Sequence, residues 1–116
     1  MISLQTKQEE ATMSAMSAMV ITKDNYEKEV LSSDKPVLLD FWANWCAPCL
    51  AMFPVVEQIA AEQTHVKVGK VDVEAQKELA IRFKVRSIPT LVLIKGGVEV
   101  NRAIGMQPKG EILSML

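Results

Sequence analysis

The spacing of apolar and polar residues changes period along the chain, and each period predicts an element. Val37–Trp42 (VLLDFW) is a near-continuous apolar run, the pattern of a strand covered on both faces. Thr90–Lys95 (TLVLIK) is a second such run. Val66–Val73 (VKVGKVDV) alternates and reads as a strand, and Met19–Thr22 is a shorter one. Helical spacing covers Asp24–Ser32, with Tyr26, Val30 and Leu31 on one side. It returns over Cys49–Gln63, with Met52, Val56, Ile59 and Ala60 in one stripe, and over Gln76–Phe83, with Leu79, Ala80 and Phe83 inward. Pro54 falls inside the second of these, where the missing N–H predicts a kink. Ser33–Pro36 carries turn chemistry and Arg86–Pro89 reads as a loop. Gly96-Gly97 predicts a tight hairpin into a partner strand, Val98–Ile104, and Lys109–Leu116 begins a last helix.

The order is therefore β-α-β-α-β-α-β-β-α. Strands joined through helices are expected to lie parallel with right-handed crossovers, while the glycine hairpin adds an antiparallel edge. This is an α/β architecture: a central mixed five-stranded sheet, three strands parallel plus the antiparallel hairpin, flanked by four helices. Residues 1–18 read as a flexible tail and residues 19–116 as the domain. The tail lacks the basic start and apolar stretch of a secretory signal, and with no Arg and two Glu it does not resemble a mitochondrial presequence. Met13, Met16 and Met19, spaced by three, fit a frayed helical turn better than a metal or partner site.

A chain of 116 residues supports a single core. Its 13 basic and 14 acidic side chains give no electrostatic reason to expect nucleic acid or an anionic membrane as partner. No apolar run approaches the ~20 residues of a spanning helix. The two cysteines, Cys46 and Cys49, lie too close in sequence to staple distant parts of a fold.

The cysteines fall where a buried strand gives way to a long helix. Just before a helix N-terminus, unpaired N–H groups and the macrodipole favour an anion, so the Cys46 thiol is expected to ionise more readily. The thiolate is the nucleophile of disulfide exchange. With two residues between them, the second sulfur can reach back and close a disulfide, and Pro48 pre-forms the first turn. Two other readings stand beside this one: buried structural thiols, and half of a zinc site, for which His65 is the other typical ligand. His65, between a helix and a strand, reads as a surface loop residue.

From about Val20 onward the chain resembles the thioredoxin family. The resemblance rests on an ordered set: VLLDFWANWCAPC, the helix proline Pro54, VGKVDV, RSIPTLVLIKGG and the late Gly105. It implies the thioredoxin fold and thiol–disulfide oxidoreductase activity without metal or other cofactor. It makes Cys46 the attacking nucleophile and Cys49 the resolving cysteine of a redox-active Cys46–Cys49 disulfide. Asp40 matches the family's buried acid, which takes and returns a proton, and Lys70 the lysine that partners it. Alternation along β-structure supports the first of these, because Asp40 shares a face with Leu38 and Trp42; covered by helices, it would lose water and its pKa would rise. An open sheet edge would leave it solvated. Pro89 matches the family's cis-proline, at a loop that pairs with an extended substrate. Trp45, Ala47, Pro48, Ile88 and Gly105 would complete an apolar contact surface around Cys46. Trp42 either packs under the loop or touches substrate. The implied partners are a thioredoxin reductase and disulfide-containing client proteins, and the implied setting is a cytoplasmic monomer.

Two positions depart from the family pattern. Ala47 replaces the usual glycine, and Leu50 stands where a basic residue is common, which removes a positive charge near Cys46. The last helix is also short and apolar, so that the sheet is thinly covered there, another chain meets it, or the chain is cut short. Other functional classes compatible with these residues are a disulfide oxidase or isomerase, a redox-independent binding scaffold, and a metal or iron–sulfur protein with ligands pooled across a dimer.

Overall fold

The computed structural model describes residues 18–116. Readings of residues 1–17, Met13 and Met16 included, lie outside the described residues, while Ala18, the last residue assigned to the tail, donates its N–H to Glu57 and packs on the core. Five strands form one sheet: β1 Met19–Val20, β2 Val37–Trp42, β3 Lys67–Asp72, β4 Thr90–Lys95 and β5 Val98–Ile104. Their spatial order is β1-β3-β2-β4-β5, with β1, β3 and β2 parallel and β4 and β5 antiparallel additions. The apolar VLLDFW run is thus the central strand. It is hydrogen-bonded on both edges and buried from Val37 to Phe41.

Helices close both faces. On one, α2 (Ala47–Glu62) and α4 (Lys109–Met115) bury Met52, Val56, Ile59 and Ile112 against Leu38, Leu91 and Leu93. On the other, Tyr26, Val30, Leu79 and Phe83 pack on Val37, Leu39, Phe41, Val92 and Ile94. Those four side chains come from a π-helical stretch (α1, Glu27–Leu31), from α3 (Lys77–Arg82) and from their flanks. Short as it is, α4 seals its face: Ile112 is fully buried, and Leu113, Met115 and Leu116 pack beside it.

Three expectations change. The first helix departs from α geometry: Glu27–Leu31 is π-helical, and the Ser32 N–H donates to the Glu27 carbonyl at 2.9 Å. Ahead of it, Asn25 Oδ1 accepts the Thr22 N–H at 2.7 Å and Thr22 Oγ1 accepts the Asp24 N–H at 3.2 Å, a reciprocal capping pair. Leu31, expected inward, is 39% exposed beside Gly97. Lastly, the rule that helix-joined strands run parallel fails at β4. The six residues of α3 rise ~9 Å, under half the ~20 Å of a six-residue strand. The chain therefore re-enters the sheet at the end it left: Asp72 is in register with Trp42, and Thr90 with Phe41. In the hairpin, Gly96 and Gly97 adopt φ of 58° and 79°, as tight turns require.

Gly69, between β1 and β2, has no room for a side chain. A Cβ there would sit 2.5 Å from Ile21 Cγ1 and 3.1 Å from Leu39 Cδ2, both on fully buried residues. Overpacking of this kind costs about 1–3 kcal/mol. Gly69→Ala is therefore expected to lower the urea midpoint with an unchanged m-value, and an unaltered midpoint would contradict this packing.

Candidate functional site: the Cys46–Cys49 pair and the buried acid behind it

At the C-terminal end of β2 the chain turns through Ala43–Trp45 and enters α2. The helix starts at Ala47, two residues before the apolar stripe suggests, with Cys46 as its N-cap. Cys46 keeps an extended backbone (φ −95°, ψ 101°), and its Sγ accepts the Cys49 N–H at 3.2 Å. This sulfur thus takes the place of a capping oxygen and satisfies one otherwise free donor. The first turn carries no acid, and Pro48 within it supplies no N–H. Cys46 and Cys49 are joined in a disulfide, with Cα atoms 5.3 Å apart. Their surroundings differ: Cys46 is 5% exposed at the rim, whereas Cys49 is fully buried behind it.

The residues expected around Cys46 converge on this rim. Ile88–Pro89 is a cis peptide, and the Ile88 carbonyl oxygen lies 3.9 Å from Cys46 Sγ. Thr90 Oγ1 donates to the Ser87 carbonyl at 2.6 Å and ties down that loop. Gly105, at φ 90°, donates its N–H to the Pro89 carbonyl at 2.8 Å, which places the β5–α4 loop beside the proline. Trp45 is 65% exposed, and its indole N–H donates to Glu74 Oε1 at 2.8 Å. Ala47 and Pro48 are exposed beside it. A groove of about 200 Å³ runs between Trp45, Val73, Val85 and Ile88, with Arg86 at its edge. Exposed Leu50, Ile104 and Met106 belong to the residues flanking the rim. Trp42 packs edge-on against Phe53 at 4.9 Å, beneath the loop. His65 is an exposed turn residue.

Asp40 lies on the face of the sheet that α2 covers, on the same side of β2 as Leu38. It is fully buried, and neither carboxylate oxygen has a hydrogen-bond partner. Loss of water raises its pKa from 3.8 to about 7; Lys70 pulls the other way, and Glu57 adds to the rise. An acid titrating near neutrality can both take and return a proton. Lys70 is the register neighbour of Asp40 across β2 and β3, as the sequence leads one to expect, but its ammonium pairs with Glu57 Oε1 at 3.1 Å. It also lies over the Phe53 ring, 4.7 Å from the centroid. Glu57, Phe53 and Glu74 were not anticipated from the sequence. The signal for the first two was available: Cys49, Phe53 and Glu57 are spaced by four, which stacks them along one side of α2.

Residues 17–116 match the family model described as Thioredoxin. A thioredoxin of Mycobacterium tuberculosis is 47% identical over 97 residues, 83% of this chain and 84% of that protein. A bifunctional thioredoxin reductase/thioredoxin of Mycobacterium leprae is 47% identical over 94 residues; the match takes in 80% of this chain but only 20% of that longer protein. Among solved structures, a mutant thioredoxin from Halobacterium salinarum NRC-1 superposes with a TM-score of 0.78 at 34% identity, covering 86% of this chain and 88% of that one.

The buried acid has a consequence for stability. Its folded pKa of about 7 lies above the unfolded value of 3.8, so the unfolded chain gives up its proton first as pH rises. The contribution of Asp40 to stability is therefore greatest below pH 4, falls between pH 4 and 7, and levels off above. A rise of about three units at 1.36 kcal/mol each bounds the loss at roughly 4 kcal/mol. Asp40→Asn should therefore be more stable than the parent at pH 8 by a few kcal/mol, with the gap closing below pH 4. Denaturant titrations at the two pH values check this, and an equal difference at both would contradict it.

Proposed function

This chain belongs to the thioredoxin family and is a thiol–disulfide oxidoreductase, and we propose that it reduces disulfides in client proteins with electrons drawn from a thioredoxin reductase. The observation that carries the reading is the unequal placement of the two sulfurs, one capping the helix at the rim and the other fully buried.

In the dithiol form the Cys46 thiolate attacks one sulfur of the client disulfide. A Cys46–client disulfide forms, and the other client sulfur leaves as a thiolate that takes a proton. Asp40 then accepts the Cys49 proton, and the Cys49 thiolate attacks Cys46 Sγ. The intramolecular disulfide closes, and the second client sulfur departs, protonated. Two electrons pass from the dithiol to the client, and the reductase returns two electrons and two protons. Trp45, Ala47, Pro48, Ile88, Pro89 and Gly105 are proposed as the client-binding surface, where an extended client segment lies along the cis-proline loop. Lys70 is assigned an indirect part, through its charge beside Asp40.

A reductant works where thiols are kept reduced, so we place the protein in the cytoplasm, acting as a monomer through residues 19–116. The fused reductase in the M. leprae relative supports the choice of electron donor. Among the described residues no helix is long and apolar enough to cross a membrane.

Insulin-disulfide reduction tests the proposal. The wild-type chain should accelerate precipitation well above dithiothreitol alone, and Cys46→Ser should abolish the acceleration. Cys49→Ser should instead accumulate a mixed disulfide with insulin, visible by non-reducing electrophoresis. Activity retained in Cys46→Ser would reject the assignment of the nucleophile.

A further inference from the structure

Glu57 is a largely buried carboxylate that the exchange steps above do not use. It lies on α2 two turns after Cys49, with Oε2 hydrogen-bonded and Oε1 in an ion pair that lacks hydrogen-bond geometry. Oε1 pairs with Lys70 Nζ at 3.1 Å, and Oε2 accepts the Ala18 N–H at 3.1 Å. Phe53, one turn earlier, covers the same ammonium with its ring. Lys70 therefore has a carboxylate on one side and, across the strand pair, its register neighbour Asp40 on the other. The ion pair it makes is with Glu57, while both Asp40 oxygens remain without partner.

We propose that Glu57 is a positioning residue of the redox site: by holding Lys70, it keeps that cation from capturing Asp40 and so leaves Asp40 free to exchange a proton with Cys49. This rests on the reading of Asp40 as the proton carrier. Paired, Lys70 and Glu57 present almost no net charge to the acid, so burial sets its behaviour. Without the Glu57 charge, the ammonium would sit in a low-dielectric layer with one carboxyl left to neutralise it. Asp40 would ionise, bind Lys70 and become a weaker base.

The groups facing Asp40 are few. Strand β3 contributes Lys70, and α2 contributes Glu57 and Cys49. The β4 neighbour is Leu91, and α4 packs onto this face through Ile112, Leu113 and Met115, none of which titrates near neutrality. In the disulfide form Cys49 does not titrate either, so the Asp40 carboxyl carbon reports its own protonation.

The test is an NMR pH titration of that carbon in the oxidised full chain, alongside insulin reduction in the same proteins. Glu57→Gln should move the Asp40 midpoint down by about one unit or more, as an unmasked opposite charge does. Lys70→Met should move it up. The double variant, which removes the pair as a neutral unit, should return it to within about 0.3 units of the parent, short of the about one unit that an uncompensated charge produces. A purely structural role would alter stability without opposite shifts that cancel. A Glu57→Gln midpoint equal to the parent's, or a double variant that keeps the Glu57→Gln shift, overturns the proposal. The two levels of argument separate cleanly. If Asp40→Asn reduces insulin as fast as the parent, Asp40 is not the carrier; if it is slow and Glu57→Gln leaves the midpoint in place, only the role of Glu57 fails.

Discussion

Everything at this site depends on β2 being covered on both faces and paired on both edges. A strand so enclosed must be apolar, and five of its six residues are. The sixth, Asp40, bears the full cost of desolvation. Asparagine in its place would be neutral, and the same carboxyl on an edge strand would be an ordinary solvated acid. A carboxyl titrating close to neutrality therefore follows first from the position of the strand in the sheet, with Lys70 lowering and Glu57 raising its pKa. The two cysteines follow from the end of the same strand. The chain leaves the sheet at Trp42, and the next element presents its N-terminus there, with one sulfur as the cap and the other a turn further in.

Two effects are thus arranged in series along one axis. The outer sulfur caps the helix and accepts the Cys49 N–H, a position at which helix donors favour an anion, while Leu50 after Cys49 adds no charge. The inner sulfur is fully buried, and the buried carboxyl of Asp40 is the acid proposed to take its proton. The layer of Phe53, Lys70 and Glu57 lies farther along α2, where one anion and one cation cancel over the aromatic ring. The rim is built from the cis-proline loop and the exposed Trp45, whose indole N–H is held by Glu74, and it is the surface proposed to receive a client chain.

Much of this was legible in the residues. The VLLDFW run announces a central strand because only a doubly covered strand can be apolar on successive residues. The cysteines sit at its end, and alternation puts Asp40 on the face with Leu38 and Trp42. The glycine hairpin falls where short-range chemistry places it, whereas the cis-proline was implied by the family resemblance alone. What local pattern could not supply depends on tertiary geometry. The first helix took π geometry over Glu27–Leu31, and the connection through the short α3 brings β4 back at the end of the sheet where β3 leaves it. Lys70 was correctly placed beside Asp40, but its choice of Glu57 as partner requires α2 and β3 to be docked, which no periodicity in either segment reveals.

The central claim is that this geometry makes a reductant. A strongly oxidising pair owes its potential to a reduced form in which the thiolate is heavily stabilised; here the helix end acts without help from a basic neighbour. The most direct measurement is the equilibrium potential of the Cys46–Cys49 couple against defined glutathione mixtures. The account predicts a value more reducing than the cytosolic glutathione poise of about −220 to −260 mV, and a value at or above about −180 mV, in the range of disulfide isomerases, would contradict it.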